Sequence, residues 1–169
     1  MAVIRTGRSL IFVPGNNPRF LEKAKKIQAD IVCFDLEDSV PDDEKTNARK
    51  LIKNALKSRS EYHSSIFVRT NSPLSGKISS DLKEIVQKGI DGIVIPKVNN
   101  IRELKKIQKT LSRLEKSKQL KINYIDFNDY FVKNKVKSKY PLYPQYGIHW
   151  SKYGMALAAD SMISYIENN

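Results

Sequence analysis

The chain has 169 residues, 40% of them apolar, and a formal net charge of +12. That length suits one domain, or one domain with an appendage, and the apolar content is enough for a core. The one cysteine, Cys33, excludes an internal disulfide and fits a reducing, cytoplasmic compartment. No apolar run approaches the roughly 20 residues of a membrane span. Arg5 and Arg8 precede only the short run Leu10 to Val13, which is too brief for a signal segment and ends at Pro14-Gly15.

Taken in order, Ser9-Leu-Ile-Phe-Val-Pro-Gly15 reads as a first strand ending in a turn. Asn17 can cap a helix with Pro18 as its first residue, and Phe20, Leu21, Ala24 and Ile27 follow at helical spacing. The second strand runs from Ile31 to Leu36. Pro41-Asp42-Asp43 opens a second helix, with Ala48, Leu51, Ile52, Ala55 and Leu56 on one face. Ser64 to Asn71 is a third strand, and Ser79 or Ser80 starts a third helix that Gly89 is placed to end. Gly92 to Pro96 is a fourth strand. Asn100 and Glu103 make a capping-box-like start to a fourth helix, striped by Ile101, Leu104, Ile107, Leu111 and Leu114.

Four consecutive strand–helix units of about 25–30 residues are the rhythm of parallel α/β folds, either an open sheet or a barrel. A full (β/α)8 barrel typically needs about 250 residues, so there is room here for about half of one. Beyond Leu120 the pattern changes. Residues 121–126 fit a strand, 127–148 are aromatic and irregular, and Ser151 can cap a final helix reaching about Ile166.

The stretch Asp30 to Val40 concentrates chemistry. Side chains alternate faces along a strand. Val32, Phe34 and Leu36 therefore share an apolar face suited to packing under helices. Ile31, Cys33, Asp35 and Glu37 share the other face, which turns acidic at its carboxyl end. Parallel α/β folds place their sites at the carboxyl ends of strands. The bland alternative is that Asp35, Glu37 and Asp38 cap the next helix. Cys33, inside an apolar run, reads as a buried, inert thiol. Most of the positive excess lies within residues 97–139. A solvated lysine-rich surface explains it better than nucleic-acid binding, because no aromatic platform is interleaved with the lysines.

Several pieces, in their order and spacing, carry a resemblance over residues 1–118. They are Arg8-Ser-Leu-Ile-Phe-Val-Pro-Gly15, Pro18 to Lys23, Asp35-Leu-Glu-Asp-Ser-Val40 with Asp43-x-Lys45, Val68-Arg69-x-Asn71, and Asp91-Gly-Ile-Val-Ile-Pro-Lys-Val98. In these the chain resembles the citrate lyase beta-subunit-like family of CoA-ester lyases, which includes malyl-CoA lyase. The resemblance implies an α/β fold, a partial TIM-type (β/α) barrel of about four βα units. It also implies an acyl-CoA or small carboxylic acid ligand, and Mg2+ as cofactor in carbon–carbon bond cleavage or formation. Arg69 matches the arginine that grips the small acid's carboxylate, for which a planar guanidinium is suited. A structural ion pair of Arg69 with Asp35 or Glu37 is the other reading, and the two are compatible. Phe12 and Val13 match backbone positions that touch CoA, and Lys23 matches a lysine near its phosphates. Asn17 stands where some members have arginine. Lys97 matches a residue pointing to the barrel centre.

The same resemblance marks a departure. The family's magnesium ligands are a Glu and an Asp from strands after the fourth, and no segment like Ile-Glu-Thr follows the fourth helix here. The metal ligands are therefore unknown. Residues 140–169, with Tyr146-Gly-Ile-His-Trp-Ser-Lys-Tyr-Gly154, resemble the end of SGNH-hydrolase-like proteins, where such a His is the catalytic base. The serine-bearing block is absent, so His149 has no nucleophile to activate. The expectation is a truncated, impaired lyase barrel over 1–118, and over 119–169 an extension of different origin. A homo-oligomer or a complementing chain would cover the open sheet edge. A non-catalytic CoA- or acid-binding remnant and a hydrolase or acyltransferase fragment are the competing readings.

Overall fold

A computed structural model describes residues 9–120 and 122. The chain divides into two compact units, Met1–Tyr124 and Ile125–Asn169. The second unit, the expected helix after Ser151 and His149 all lie outside the described residues, as does the expected strand 121–126 apart from Ile122.

The strands are β1 (Leu10–Pro14), β2 (Ile31–Asp35), β3 (Ser65–Arg69) and β4 (Gly92–Val94). They form one sheet in the order β1-β2-β3-β4, and every pairing is parallel. The helices α1 (Pro18–Ala24), α2 (Lys45–Lys57) and α3 (Ile78–Ile85) connect them, and α4 (Ile101–Lys118) follows β4. This is a partial TIM-type arrangement: four βα units with strands in sequential order and helices on one face.

The register explains how two faces arise. Leu10 pairs with Ile31 and Ile31 with Ser65; Phe12, Cys33 and Phe67 form the next row, and Asp35 pairs with Arg69. On the opposite face Val13, Val32, Phe34, Leu36, Ile66 and Val68 join Ala48, Ile52, Leu56, Leu82 and Ile85 in the core. That is the apolar face under the helices that the alternation in residues 30–40 predicts. All five residues of β2 are buried, as a central parallel strand requires.

Local chemistry sets the helix ends. Asn17 Oδ1 accepts from Arg19 N (3.0 Å) and Phe20 N (3.4 Å), and Pro18 occupies the first turn. The helix itself stops at Ala24. Lys25, Lys26 and Ile27 then donate to Glu22, Lys23 and Ala24, so the expected extension to Ile27 exists as tighter three-residue turns. Asp42–Glu44 likewise forms a 3-10 turn ahead of α2. Asn100 Oδ1 accepts from Glu103 N at 3.0 Å, and Glu103 Oε2 accepts from Asn99 N at 3.2 Å, close to the expected capping box. Ile107 is buried, with Leu111 and Leu114 packed beside it.

One expected boundary is corrected. The third helix begins at Ile78 and ends at Ile85, so Gly89 does not terminate it. Gly89 lies in the turn before β4 at φ +102, where an added Cβ would run into the Leu56 carbonyl. It is a glycine of close approach between that turn and α2, not of helix capping.

Candidate functional site

The carboxyl ends of β2 and β3 gather charged side chains, and buried hydrogen bonds hold them. Asp35 ends β2 and is fully buried. Its Oδ1 accepts from Glu37 N at 2.9 Å; its Oδ2 accepts from Ser39 N at 3.0 Å and Ser39 Oγ at 2.5 Å. These bonds bend the chain out of the strand, as a short acidic side chain bonding its own downstream backbone does. Arg69, which ends β3, donates Nε to Oδ1 and Nη2 to Oδ2 of Asp35, each at 2.7 Å. Burial pushes the Asp35 carboxyl upward, but the Arg69 fork and the Ser39 and Glu37 donors outweigh it and hold it at about 2.

Lys45, buried in the first turn of α2, donates Nζ to Leu36 O (2.9 Å) and Glu37 O (2.8 Å). The Glu37 amide is spent on Asp35 and its carbonyl on Lys45, so its backbone is fixed. Its carboxylate is not. The residue is 6% exposed, yet neither Oε1 nor Oε2 takes a hydrogen bond. What faces it is charge: Arg69 Nη1 lies 3.4 Å from Oε2 and Lys97 Nζ 3.1 Å from Oε1. Those approaches satisfy ion-pair distance without hydrogen-bond geometry. Lys97 Nζ also donates to Asp38 Oδ1 at 3.0 Å. The Asp38 bond, then Glu37, raises the Lys97 ammonium above its ordinary value.

The Lys97 backbone is unusual. It takes φ 53, in the left-handed region that a side chain disfavours by roughly 1–2 kcal/mol. Strain of this kind persists only where surrounding contacts enforce it. On the other side of the cluster, the Phe12 ring lies under the Arg69 guanidinium, 4.6 Å from ring centroid to Cζ. Below Arg69, the fully buried Asp81 accepts from Asn71 N (2.7 Å), Asn71 Nδ2 (2.8 Å) and Arg49 Nε (2.7 Å). This pins the segment leaving β3 to α2 and α3.

The structure thus brings together Asp35, Glu37, Arg69, Lys97 and Phe12 from the residues singled out in the sequence. Val13 is in the core and offers only its backbone. The Asn17 side chain is committed to capping α1. Lys23 is exposed in the last turn of α1 and is not part of this cluster. Sequence reasoning left Ser39 and Lys45 without roles. The signal for both was present: a Ser four residues after a strand-end Asp, and a Lys at the start of an otherwise apolar helix face.

Residues 8–136 match the HpcH/HpaI aldolase/citrate lyase family. The chain belongs to that family. Its relatives include a (3S)-malyl-CoA thioesterase of Cereibacter sphaeroides, 38% identical over 100 residues, which are 59% of this chain and 35% of the relative. The citrate lyase subunit beta of Leuconostoc mesenteroides subsp. cremoris is 37% identical over 112 residues, 66% of this chain and 37% of the relative. Its counterpart in Escherichia coli K12 is 35% identical over 113 residues, 67% and 37%. The chain therefore spans a little over a third of the length of these curated relatives. Among solved structures, the malate synthase of Haloferax volcanii, determined as a lead(II) complex, superposes with TM-score 0.60 at 19% identity, over 67% of this chain and 38% of that one. This likeness supports the partial-barrel fold.

The family is generally dependent on a divalent metal. The described residues do not fit one as they stand. Among them no group of three or more His, Cys, Asp or Glu side chains is arranged to hold a metal ion. Asp35 has both oxygens committed to Arg69, Ser39 and Glu37, and the Glu37 oxygens face two cations.

Proposed function

We propose that this chain provides the small-acid side of a carbon–carbon lyase site acting on acyl-CoA esters of small hydroxy acids. The observation that carries the reading is the convergence of Arg69 and Lys97 on one acidic mouth at the strand ends. Arg69 Nη1, the donor group not spent on Asp35, and the half-exposed Lys97 ammonium are the positive contacts for a ligand carboxylate. Asp35 acts as a positioning residue that holds the guanidinium plane. Glu37 is the buried carboxylate that faces both cations and holds them at the mouth. Phe12, Val13, Asn17 and Lys23 mark the side on which CoA would lie, through backbone at Phe12 and Val13 and through charge at Lys23.

The metal of such lyases supplies positive charge where an enolate oxygen develops, commonly worth several kcal/mol. Since the residues described do not fit it, Mg2+ here would need oxygen ligands from elsewhere in the chain or from another copy or chain. Both β1 and β4 are sheet edges among the described residues. Further strands, and with them the rest of a mouth, would join there.

The test is direct. The purified chain is titrated with malate, acetyl-CoA and malyl-CoA by calorimetry, and malyl-CoA turnover is followed with and without Mg2+. Carbon–carbon cleavage yields acetyl-CoA and glyoxylate, whereas thioester hydrolysis yields malate and CoA. Binding that depends on Arg69, with cleavage slow or absent in the isolated chain, is the expected result. No binding of any of the three at millimolar concentration overturns the reading.

A further inference from the structure

The two outermost βα units leave apolar surface open. All five residues of β2 are buried. On β1, by contrast, Leu10, Ile11 and Phe12 are 44%, 42% and 47% exposed. They are consecutive, so both faces of the strand lie open. Phe20 on α1 is exposed as well. The β1 backbone is open too. Ser9 O accepts from Ile31 N at 3.0 Å and Gly15 N donates to Asp35 O at 2.9 Å, so the odd-numbered positions face β2. By the alternation along a strand, Leu10 and Phe12 turn their N–H and C=O groups to the other side. Among the described residues no strand meets them there. At the far end of the sheet, Ile93 and Val94 of β4 and Leu104, Leu111 and Leu114 of α4 are only half-buried.

What β1 lacks is a neighbouring strand with a helix behind it, and β4 lacks the same on the opposite side. We infer that a second copy of this chain supplies both. A two-fold rotation about an axis along the strands sets β4 of each copy parallel to β1 of the other. All strands then run one way with the helices outside, as a closed barrel without edges. One operation meets both needs, because each copy offers the unit that the other lacks. The unit beyond Tyr124, residues 125–169, is shorter than two βα units of about 25–30 residues, whereas an eight-stranded closure takes four more. Closure also completes the mouth. Phe12 and Pro14 of each copy come to border the carboxyl end of the other's β4, so each mouth takes one wall from the second copy. The inference rests on the sheet and stands whether or not an acyl-CoA ester is the ligand.

The test is sedimentation velocity of the full chain across concentration and salt. A reversible dimer of 19.4 kDa chains, with no larger species, is expected. Each chain carries a net charge of +12, so an apolar junction between two copies should tighten as salt screens their repulsion. Leu10→Pro removes an N–H that faces the open edge, at the first residue of the strand, where proline is tolerated. Ile11→Lys places a charge on the outer face of the same strand. Each is expected to weaken the dimer at least tenfold while far-UV circular dichroism stays that of the parent, and Ile11→Lys serves alone if Leu10→Pro unfolds. Spin labels on separate chains, attached through Arg19→Cys on α1 and Lys109→Cys on α4, are expected to couple in the mixed dimer. Closure sets each α1 beside the other copy's α4, and Cys33 is buried and takes no label. A chain that stays monomeric at every concentration overturns the inference. So does a dimer that Ile11→Lys leaves intact, one whose α1 and α4 labels do not couple, or a ladder of larger species, which would mean that the rotation does not close.

Discussion

Arg69 lays Nε and Nη2 across the two carboxylate oxygens of Asp35, each at 2.7 Å, from the adjoining end of a parallel strand. The carboxylate is fully buried and the guanidinium about one-fifth exposed. Breaking such a pair from one side leaves an uncompensated charge, which costs more than the pair itself contributes. Asp35→Asn and Arg69→Met should each lower stability by about 2–4 kcal/mol. The double variant should recover part of the loss, a coupling of roughly 1–3 kcal/mol in a urea-unfolding cycle. Additive losses would mean that the two side chains act separately.

The same pair sets an acid limit. The Asp35 carboxyl is held at about 2 in the folded chain, and an unfolded aspartate titrates near 3.9. A depressed folded value means that the folded state binds fewer protons. The stabilisation is therefore fully present above the unfolded value and is lost as pH falls through the folded one. Discounted for the partly exposed arginine, the contribution is on the order of 1–2 kcal/mol. The urea midpoint should drop between about pH 5 and pH 2, and Asp35→Asn should flatten that part of the profile. An identical acid slope in both chains would assign the loss to other carboxylates.

Cys33 lies on the inner face between Phe12 and Phe67 in the register and is buried. Burial first, then the neighbouring Asp35 charge, pushes its thiol up to about 12. The thiolate is the reacting form, so at neutral pH the folded chain presents almost none. Alkylation by iodoacetamide should follow the unfolding rate and become fast only in denaturant. Stoichiometric labelling of the folded chain within minutes would contradict the buried placement.

How legible this was depended on the range of the interactions. The four strands rest on local alternation and on turn residues, and all four lie within two residues of where the pattern puts them. The Asn17 and Asn100 caps are local as well, since each needs only its own three downstream residues. Gly89 misled because a glycine after an apolar helix has two uses, and only the packing of α2 against the turn decides between them. Arg69 over Phe12 and Lys97 on Glu37 and Asp38 join different βα units. No local pattern contains those partners, although a strand-end position did identify Asp35, Glu37 and Arg69 as neighbours.

Arg69 carries two tasks, and one substitution separates them. Lysine in its place keeps the charge but cannot make two parallel bonds to Asp35 while reaching toward a ligand. Its ammonium would pair with Asp35 and withdraw from Glu37, whose Oε2 is 3.4 Å from the present Nη1. It would also lose the planar contact with the Phe12 ring, worth about 0.5–1 kcal/mol at an exposed site. Arg69→Lys should therefore fold, at a cost of roughly 1–2 kcal/mol, while binding of malate or malyl-CoA weakens at least tenfold, or about 1.4 kcal/mol. Phe12→Ala should weaken binding less, because it removes the support of the guanidinium and leaves its donors. Calorimetric titration of the three chains checks the order parent, Phe12→Ala, Arg69→Lys. Equal affinities across them would place the carboxylate away from Arg69, and with it the small-acid site.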